Sequence, residues 1–234
     1  MGDNRSREGG REAGSYMTSG HRPDLVIFDC DGVLVDSEAI VAGVLGGQLR
    51  QLDVEITDEE CAREFTGLSQ DMATKRLYAL LGMAAPGGWV DSLTRAVDAA
   101  LRARVRPVPG VLDVIRLLDV PFCVASNGRP EKVALTLRTS GLAQYFEHRI
   151  FTSADVARGK PAPDVFLLAA ERCAAEPRRC VVVEDSPSGV AAARAAGMRV
   201  LGFVPGRDQT LDGADELFTD MAELPELLTL PPKI

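Results

Sequence analysis

Asp29 and Asp31 stand two residues apart at the end of the apolar run "LVIF", and Gly32 follows at once. The same arrangement recurs downstream. "VASNG" ends a run in Ser126 and Asn127, "VVVEDS" ends one in Glu184 and Asp185, and "GKPAPD" supplies Lys160. Four carboxylates converging on one rim repel one another unless a cation sits among them, and oxygen ligands suit a hard divalent ion such as Mg²⁺. A hydroxyl just before a helix N-terminus, together with a lysine, favours an anionic guest, of which phosphate is the natural one. A carboxylate can attack phosphorus. A second carboxyl two residues on can protonate the leaving oxygen and later take a proton from water.

Such groups need a frame. Short apolar runs predict strands at Leu25–Phe28, Phe122–Ala125, His148–Thr152, Cys180–Val183, Arg199–Phe203 and Glu216–Phe218. Continuous apolar strands separated by helix-length segments belong to a parallel sheet covered on both faces, so the expected class is α/β with a doubly wound sheet. Ligands of such sheets sit at the carboxyl ends of the strands, near the point where strand order reverses. One covering helix starts at Pro130 and stops near Gly141; another runs from about Ser188 to Gly197.

Residues 37–106 break the alternation and read as helices only: 37–52, 58–65 behind the capping box Thr57-x-x-Glu60, 70–81 closed by Gly82, and 89–104. The expected organisation is a disordered tail over 1–23, a core domain of 24–36 and 107–234, and an inserted helical cap domain of 37–106. The prolines of "VRPVPG" mark the return to the core.

Composition limits the partners. A net charge of −8 argues against a nucleic-acid backbone, which is bound by neutralising phosphates with Lys and Arg. No apolar stretch reaches the roughly 20 residues that span a bilayer. Five scattered cysteines without CxxC spacing argue against a disulfide framework or a zinc site and fit a reducing cytoplasm. The expected partner is a small phosphate ester, and the expected state a monomer or weak homodimer.

Taken in order, "DCDGVLVDSE", "VASNG", "GKPAPDVF" and "VVEDSPSGVAAARAAGM" resemble the four motifs of the haloacid dehalogenase superfamily, in the branch with a helical cap after the first strand. The resemblance implies a Rossmann-like core, with Asp29 as nucleophile and Asp31 as general acid/base. It implies that Ser126 and Lys160 bind the transferring phosphoryl group, with Asn127 serving the substrate or the turn. Mg²⁺ would be held by Asp29, the Asp31 main-chain carbonyl and Asp185, with Glu184 either a further ligand or an acceptor for loop N–H groups. The loop "FTGLSQDMATKR" is similar to the family's specificity loop, making Gly67, Leu68, Ser69, Gln70 and Lys75 candidate substrate contacts; a solvated helix face is the competing reading of Lys75 or Arg76.

Dehalogenases of this superfamily lack an acid at the second aspartate position, so Asp31 favours phosphoryl transfer. The β-phosphoglucomutase-like branch resembles the chain throughout, but its cap histidine and cap arginine fall at Val41 and Gln70 here. Without that histidine to restrain Asp31, or that arginine to hold a second phosphate, the resemblance implies a phosphatase of sugar or sugar-acid phosphates, with a phosphosugar mutase as the alternative. A phospho-acceptor switch domain would lack the helical insertion.

Overall fold

In the computed structural model the described residues are 22–68, 70–82, 85–206 and 210–228, without the side chains of residues 70 and 71. The chain opens with β1 (Leu25–Phe28) and β2 (Val35–Asp36), then runs through four helices, α1 (Glu38–Arg50), α2 (Asp58–Phe65), α3 (Gln70–Leu81) and α4 (Trp89–Arg104). It returns by β3 (Arg106–Pro107) and α5 (Val111–Leu117) to β4 (Phe122–Ser126), α6 (Pro130–Thr139), α7 (Ala143–Phe146) and β5 (Ile150–Thr152). The last part is α8 (Asp164–Arg172), β6 (Cys180–Glu184), α9 (Pro187–Ala195), β7 (Arg199–Phe203), β8 (Glu216–Phe218) and α10 (Leu224–Leu227).

Six of the strands form one parallel sheet in the order β5-β4-β1-β6-β7-β8. The α/β class read from the apolar runs is the observed one. Side chains of a strand alternate between faces, so a strand covered on both sides is apolar throughout. β1 shows this directly: Val26 and Phe28 enter the core on one face, Leu25 and Ile27 the core on the other. Strand order reverses at β1, which pairs with β4 on one side and β6 on the other. The carboxyl ends of these three strands therefore share one rim.

The expected strand at His148–Thr152 starts at Ile150 instead. Glu147 takes φ +43 at the end of α7, and this turn delays the extended conformation. Arg22 pairs with Asp119 and Pro23 is buried, so these two residues lie against the core rather than in the tail expected over 1–23; residues 1–21 fall outside the described ones.

The helical insertion has a core of its own, in which Leu45 and Leu49 of α1 meet Ile56, Cys61 of α2 and Leu77 of α3. Its α2 is capped as its sequence indicates: Thr57 Oγ1 accepts the Glu60 N–H (3.1 Å) while the Glu60 carboxylate accepts the Thr57 N–H (2.8 Å). The two chain crossings are joined by the antiparallel pair β2–β3, Val35 facing Pro107 and Asp36 facing Arg106. Among the described residues no helix is long and apolar enough to cross a membrane.

Phe28, fully buried, meets Phe122 and Phe146 edge-on with ring centroids 6.5 Å away. Phe28→Ala is expected to cost about 3–5 kcal/mol of stability, read as a lower midpoint in chemical denaturation.

Candidate active site

β1, β4 and β6 deliver Asp29, Ser126 and Glu184 to the rim as the residue just after or at the strand's last position. Lys160 arrives from the loop between β5 and α8 and is almost completely buried. Its ammonium group donates to Asp29 Oδ1 (2.5 Å), Glu184 Oε1 (2.6 Å) and the Ala125 carbonyl (2.8 Å) and lies 4.7 Å from the centre of the Phe166 ring. Burial disfavours the charge on Lys160, but the two carboxylates outweigh it and raise the pKa above the ordinary lysine value. Burial pushes the Asp29 carboxyl up to about 7, against the pull of Lys160.

Glu184 is fully buried and both of its oxygens are engaged. Oε1 accepts from Lys160, while Oε2 accepts the Asp185 and Ser186 N–H groups and the Ser186 hydroxyl, each at 3.0 Å. Of the two roles open to it from sequence, acceptor for loop N–H groups is the one the geometry fills. Gly189 makes room for it: a Cβ there would fall 1.8 Å from Glu184 Oε1. Asp185 turns toward β1, packing against Gly32, where φ is +78 and a Cβ would fall 1.8 Å from Asp185 Oδ2. Burial, then the charges of Glu184 and Glu38, push its carboxyl well above the usual range.

Carboxylate oxygens of Asp29, Glu184 and Asp185 lie within 4.8 Å of one another. Hard oxygen donors at this spacing, with Lys160 as their near cation, fit a divalent ion. Since the oxygens of Glu184 are committed elsewhere, Asp29 and Asp185 are the side chains with capacity to hold it.

Asp31 lies across the cleft from Lys160, in the hold of a residue that sequence reasoning missed. Lys132 of α6 donates to both carboxylate oxygens, each at 2.8 Å, and the Ser37 hydroxyl donates to Oδ1. Burial works to raise the pKa of Asp31, but the Lys132 charge and these hydrogen bonds hold it below the ordinary carboxylate range. The expectation that Asp31 lacks a restraint is thereby corrected: the restraint comes from the core helix α6, not from the cap. The only sequence signal is that Lys132 sits two residues into a helix opened by Pro130 directly after the Ser126 motif.

The remaining candidates divide. The Ser126 hydroxyl accepts the Gly128 N–H (3.0 Å) and faces the cleft. Asn127 is spent on the frame rather than free for a substrate: its Oδ1 accepts the Lys160 N–H (2.8 Å), and its Nδ2 donates to the Lys160 carbonyl (3.0 Å) and the Gly67 carbonyl (3.3 Å). Gly67, from the insertion, thus docks on the core, its carbonyl also accepting from Ser188 (2.9 Å). Leu68 lines the cleft. Lys75 does not reach it: two positions before the buried Leu77 on α3, it falls on the opposite, exposed side of the helix. Ser69 and the Gln70 side chain lie outside the described residues.

Residues 23–197 match the family described as haloacid dehalogenase-like hydrolase. The chain belongs to this family. Among curated relatives of this haloacid dehalogenase-like hydrolase, a 6-phosphogluconate phosphatase of Escherichia coli is 27% identical over 216 residues, covering 88% of this chain and 95% of that protein. A probable pseudouridine-5'-phosphatase of Drosophila melanogaster is 32% identical over 223 residues, covering 88% and 93%. A crystal structure of a hydrolase of the same family from Deinococcus radiodurans, with bound phosphate and sodium, superposes with a TM-score of 0.73 at 33% identity, covering 91% of this chain and 99% of that one.

Gly189→Ala would force the Glu184 carboxylate out of its nest. The expected outcome is a loss of about 1–3 kcal/mol by thermal denaturation, the cost of overpacking a filled site.

Proposed function

We propose that the protein is a Mg²⁺-dependent phosphatase that hydrolyses a small phosphate monoester of the sugar or sugar-acid type through an aspartyl phosphate on Asp29. The observation that carries this reading is the Lys160 ammonium held between Asp29 and Glu184. It orients Asp29 by a charge-assisted hydrogen bond to one oxygen and opposes the effect of burial on its charge, while the residue lines the cleft. The relatives named as phosphatases, and the related structure holding phosphate, support the same reaction class.

Asp29 attacks phosphorus in line. Lys160 and the Ser126 hydroxyl bind the equatorial oxygens, where charge develops. A bound Mg²⁺, held by Asp29, Asp185 and the Asp31 main-chain carbonyl, would supply further charge stabilisation. Asp31, kept as a carboxylate by Lys132, is in the form that takes a proton from the water that clears the aspartyl phosphate. To protonate a leaving alkoxide it must first carry a proton, which requires that its grip on Lys132 loosen during the first half-reaction.

The helical insertion acts as a lid over this chemistry. It is joined to the core by β2–β3, and its Gly67 carbonyl is held by Asn127 and Ser188, residues attached to the Lys160 and Glu184 loops. The Arg129–Asp98 ion pair (3.0 Å) ties α6 to α4 on the far side. Closure of this kind excludes water and completes the site. With Asp31 restrained after all, hydrolysis rather than phosphosugar mutation rests on the cap wall, where Val41 lines the cleft in place of a polar residue.

Asp29→Asn is expected to abolish Mg²⁺-dependent phosphate release while leaving the circular dichroism spectrum unchanged, and chelation by EDTA to abolish it reversibly in the unmodified protein. Full activity in Asp29→Asn would remove the nucleophile assignment. Lys132→Met removes the charge that keeps Asp31 ionised, so the acidic limb of the kcat–pH profile is expected to move to higher pH, with kcat near neutral pH falling by up to about 10²-fold, the usual worth of a placed base, on alkyl phosphates and p-nitrophenyl phosphate alike. A loss of activity with no movement of that limb would make Lys132 merely structural.

A further inference from the structure

Between the rim and the insertion lies a cavity of about 110 Å³. Its floor carries the groups already described. Its roof is the insertion, and apart from Thr66, which hydrogen-bonds Glu38, the roof is largely apolar: Val41 and Leu45 of α1, Cys61 and Phe65 of α2, and Leu68 beyond them. Among the described residues, the charged side chain that the insertion contributes to this lining is Glu38, an acid at the start of α1 beside Asp31.

Among the described residues, the cations of the neighbourhood are bonded to floor carboxylates or line other surfaces. Lys132 and Lys160 line the cavity, but each is already bonded to carboxylates of the floor. Arg63 lines an adjoining, wider cavity and not this one. Arg76 donates to Glu64 (2.6 Å), and Lys75 is exposed on α3. The lining carboxylates Asp29, Asp31, Asp185 and Glu38 outnumber the lining ammonium groups of Lys132 and Lys160. A divalent ion would balance that excess, and the dianionic phosphoryl group would then make the cavity negative again. A further anion on the substrate would enter a half-open, negative space facing Glu38 and the largely apolar side chains of the roof. An unpaired charge in such surroundings is disfavoured.

We infer that the substrate's leaving group is uncharged: a neutral sugar- or polyol-type alcohol carrying a single phosphate, its carbon skeleton against the Val41, Leu45 and Phe65 roof and a hydroxyl donated to Glu38. This rests on the phosphatase reading above and narrows it, setting aside sugar acids and bisphosphates. Glu38 is then a specificity-determining residue.

The test uses the full-length protein with Mg²⁺, p-nitrophenyl phosphate as reporter, and Asp29→Asn as blank. Matched pairs that differ by one anionic group, glucose 6-phosphate against 6-phosphogluconate and fructose 1-phosphate against fructose 1,6-bisphosphate, compete with the reporter, so that a relative affinity is obtained whether or not a compound is turned over. The neutral member of each pair is expected to compete at least about 10-fold better, the lower end of what an unmet group costs in a pocket. In Glu38→Gln the gap is expected to narrow by about threefold or more, through tighter binding of the acid member, as one like charge is removed. If the reporter is turned over but the charged members compete equally or better, the inference falls and the phosphatase reading stands. An unchanged gap in Glu38→Gln overturns the role of Glu38. Absence of Mg²⁺-dependent release from every compound overturns both.

Discussion

The buried ammonium group of Lys160 is the constraint around which the rest is arranged. A charge taken out of water is tolerated only where opposite charges and hydrogen-bond acceptors replace its hydration. Lys160 meets Asp29, Glu184 and the Ala125 carbonyl, one partner from the end of each of three adjacent strands, β1, β6 and β4. The lysine therefore ties the strand ends together chemically as the sheet ties them geometrically. Glu184 closes the arrangement from behind, its second oxygen collecting the N–H groups where β6 turns into α9. Asn127 closes it from the side by holding the Lys160 main chain in both directions.

That tie divides the labour among the acids. Glu184 is consumed in holding Lys160. Asp29 gives one oxygen to the lysine and keeps the other for the cleft. Asp185 packs against Gly32, and burial with the charges of Glu184 and Glu38 outweighs the more distant Lys160 in raising its carboxyl. Asp31 stands apart with a separate partner, Lys132, and its carboxyl is biased in the opposite direction from that of Asp29. At Asp29 burial prevails over the pull of Lys160, whereas at Asp31 Lys132 and its hydrogen bonds prevail over burial, so two carboxyls two residues apart in sequence are biased in opposite directions.

The same groups that build the floor also receive the roof. Gly67 packs beside Ser186 and its carbonyl accepts from Asn127 and Ser188, residues of the segments that position Lys160 and Glu184. Insertion and rim are thus linked through a pair of hydrogen bonds, and the face that the insertion turns to the cleft is largely apolar.

The sequence by itself determined the sheet, the insertion and the acids of the rim. Strands buried on both faces must be apolar throughout, so each shows as a run such as "LVIF" or "CVVV", and a polar residue ending such a run can only lie at the rim. Helix ends were legible for an equally local reason, the reciprocal Thr57–Glu60 cap being written in four residues. What only the tertiary structure decided is which side chains meet. Lys132 reaches Asp31 across 101 positions of sequence because α6 leaves the rim after β4 and packs against α4, and no local pattern encodes that packing. Glu184 and Asp185 are neighbours of like chemistry, yet one faces Lys160 and the other Gly32, since successive residues leaving a strand point to opposite sides. Asn127 and Lys75 looked like substrate contacts; the one is held by backbone groups and the other turned outward by the phase of α3. Residue type and spacing carry the chemistry available to the chain, whereas the partner of each charge, and so its role, is settled by packing between distant elements.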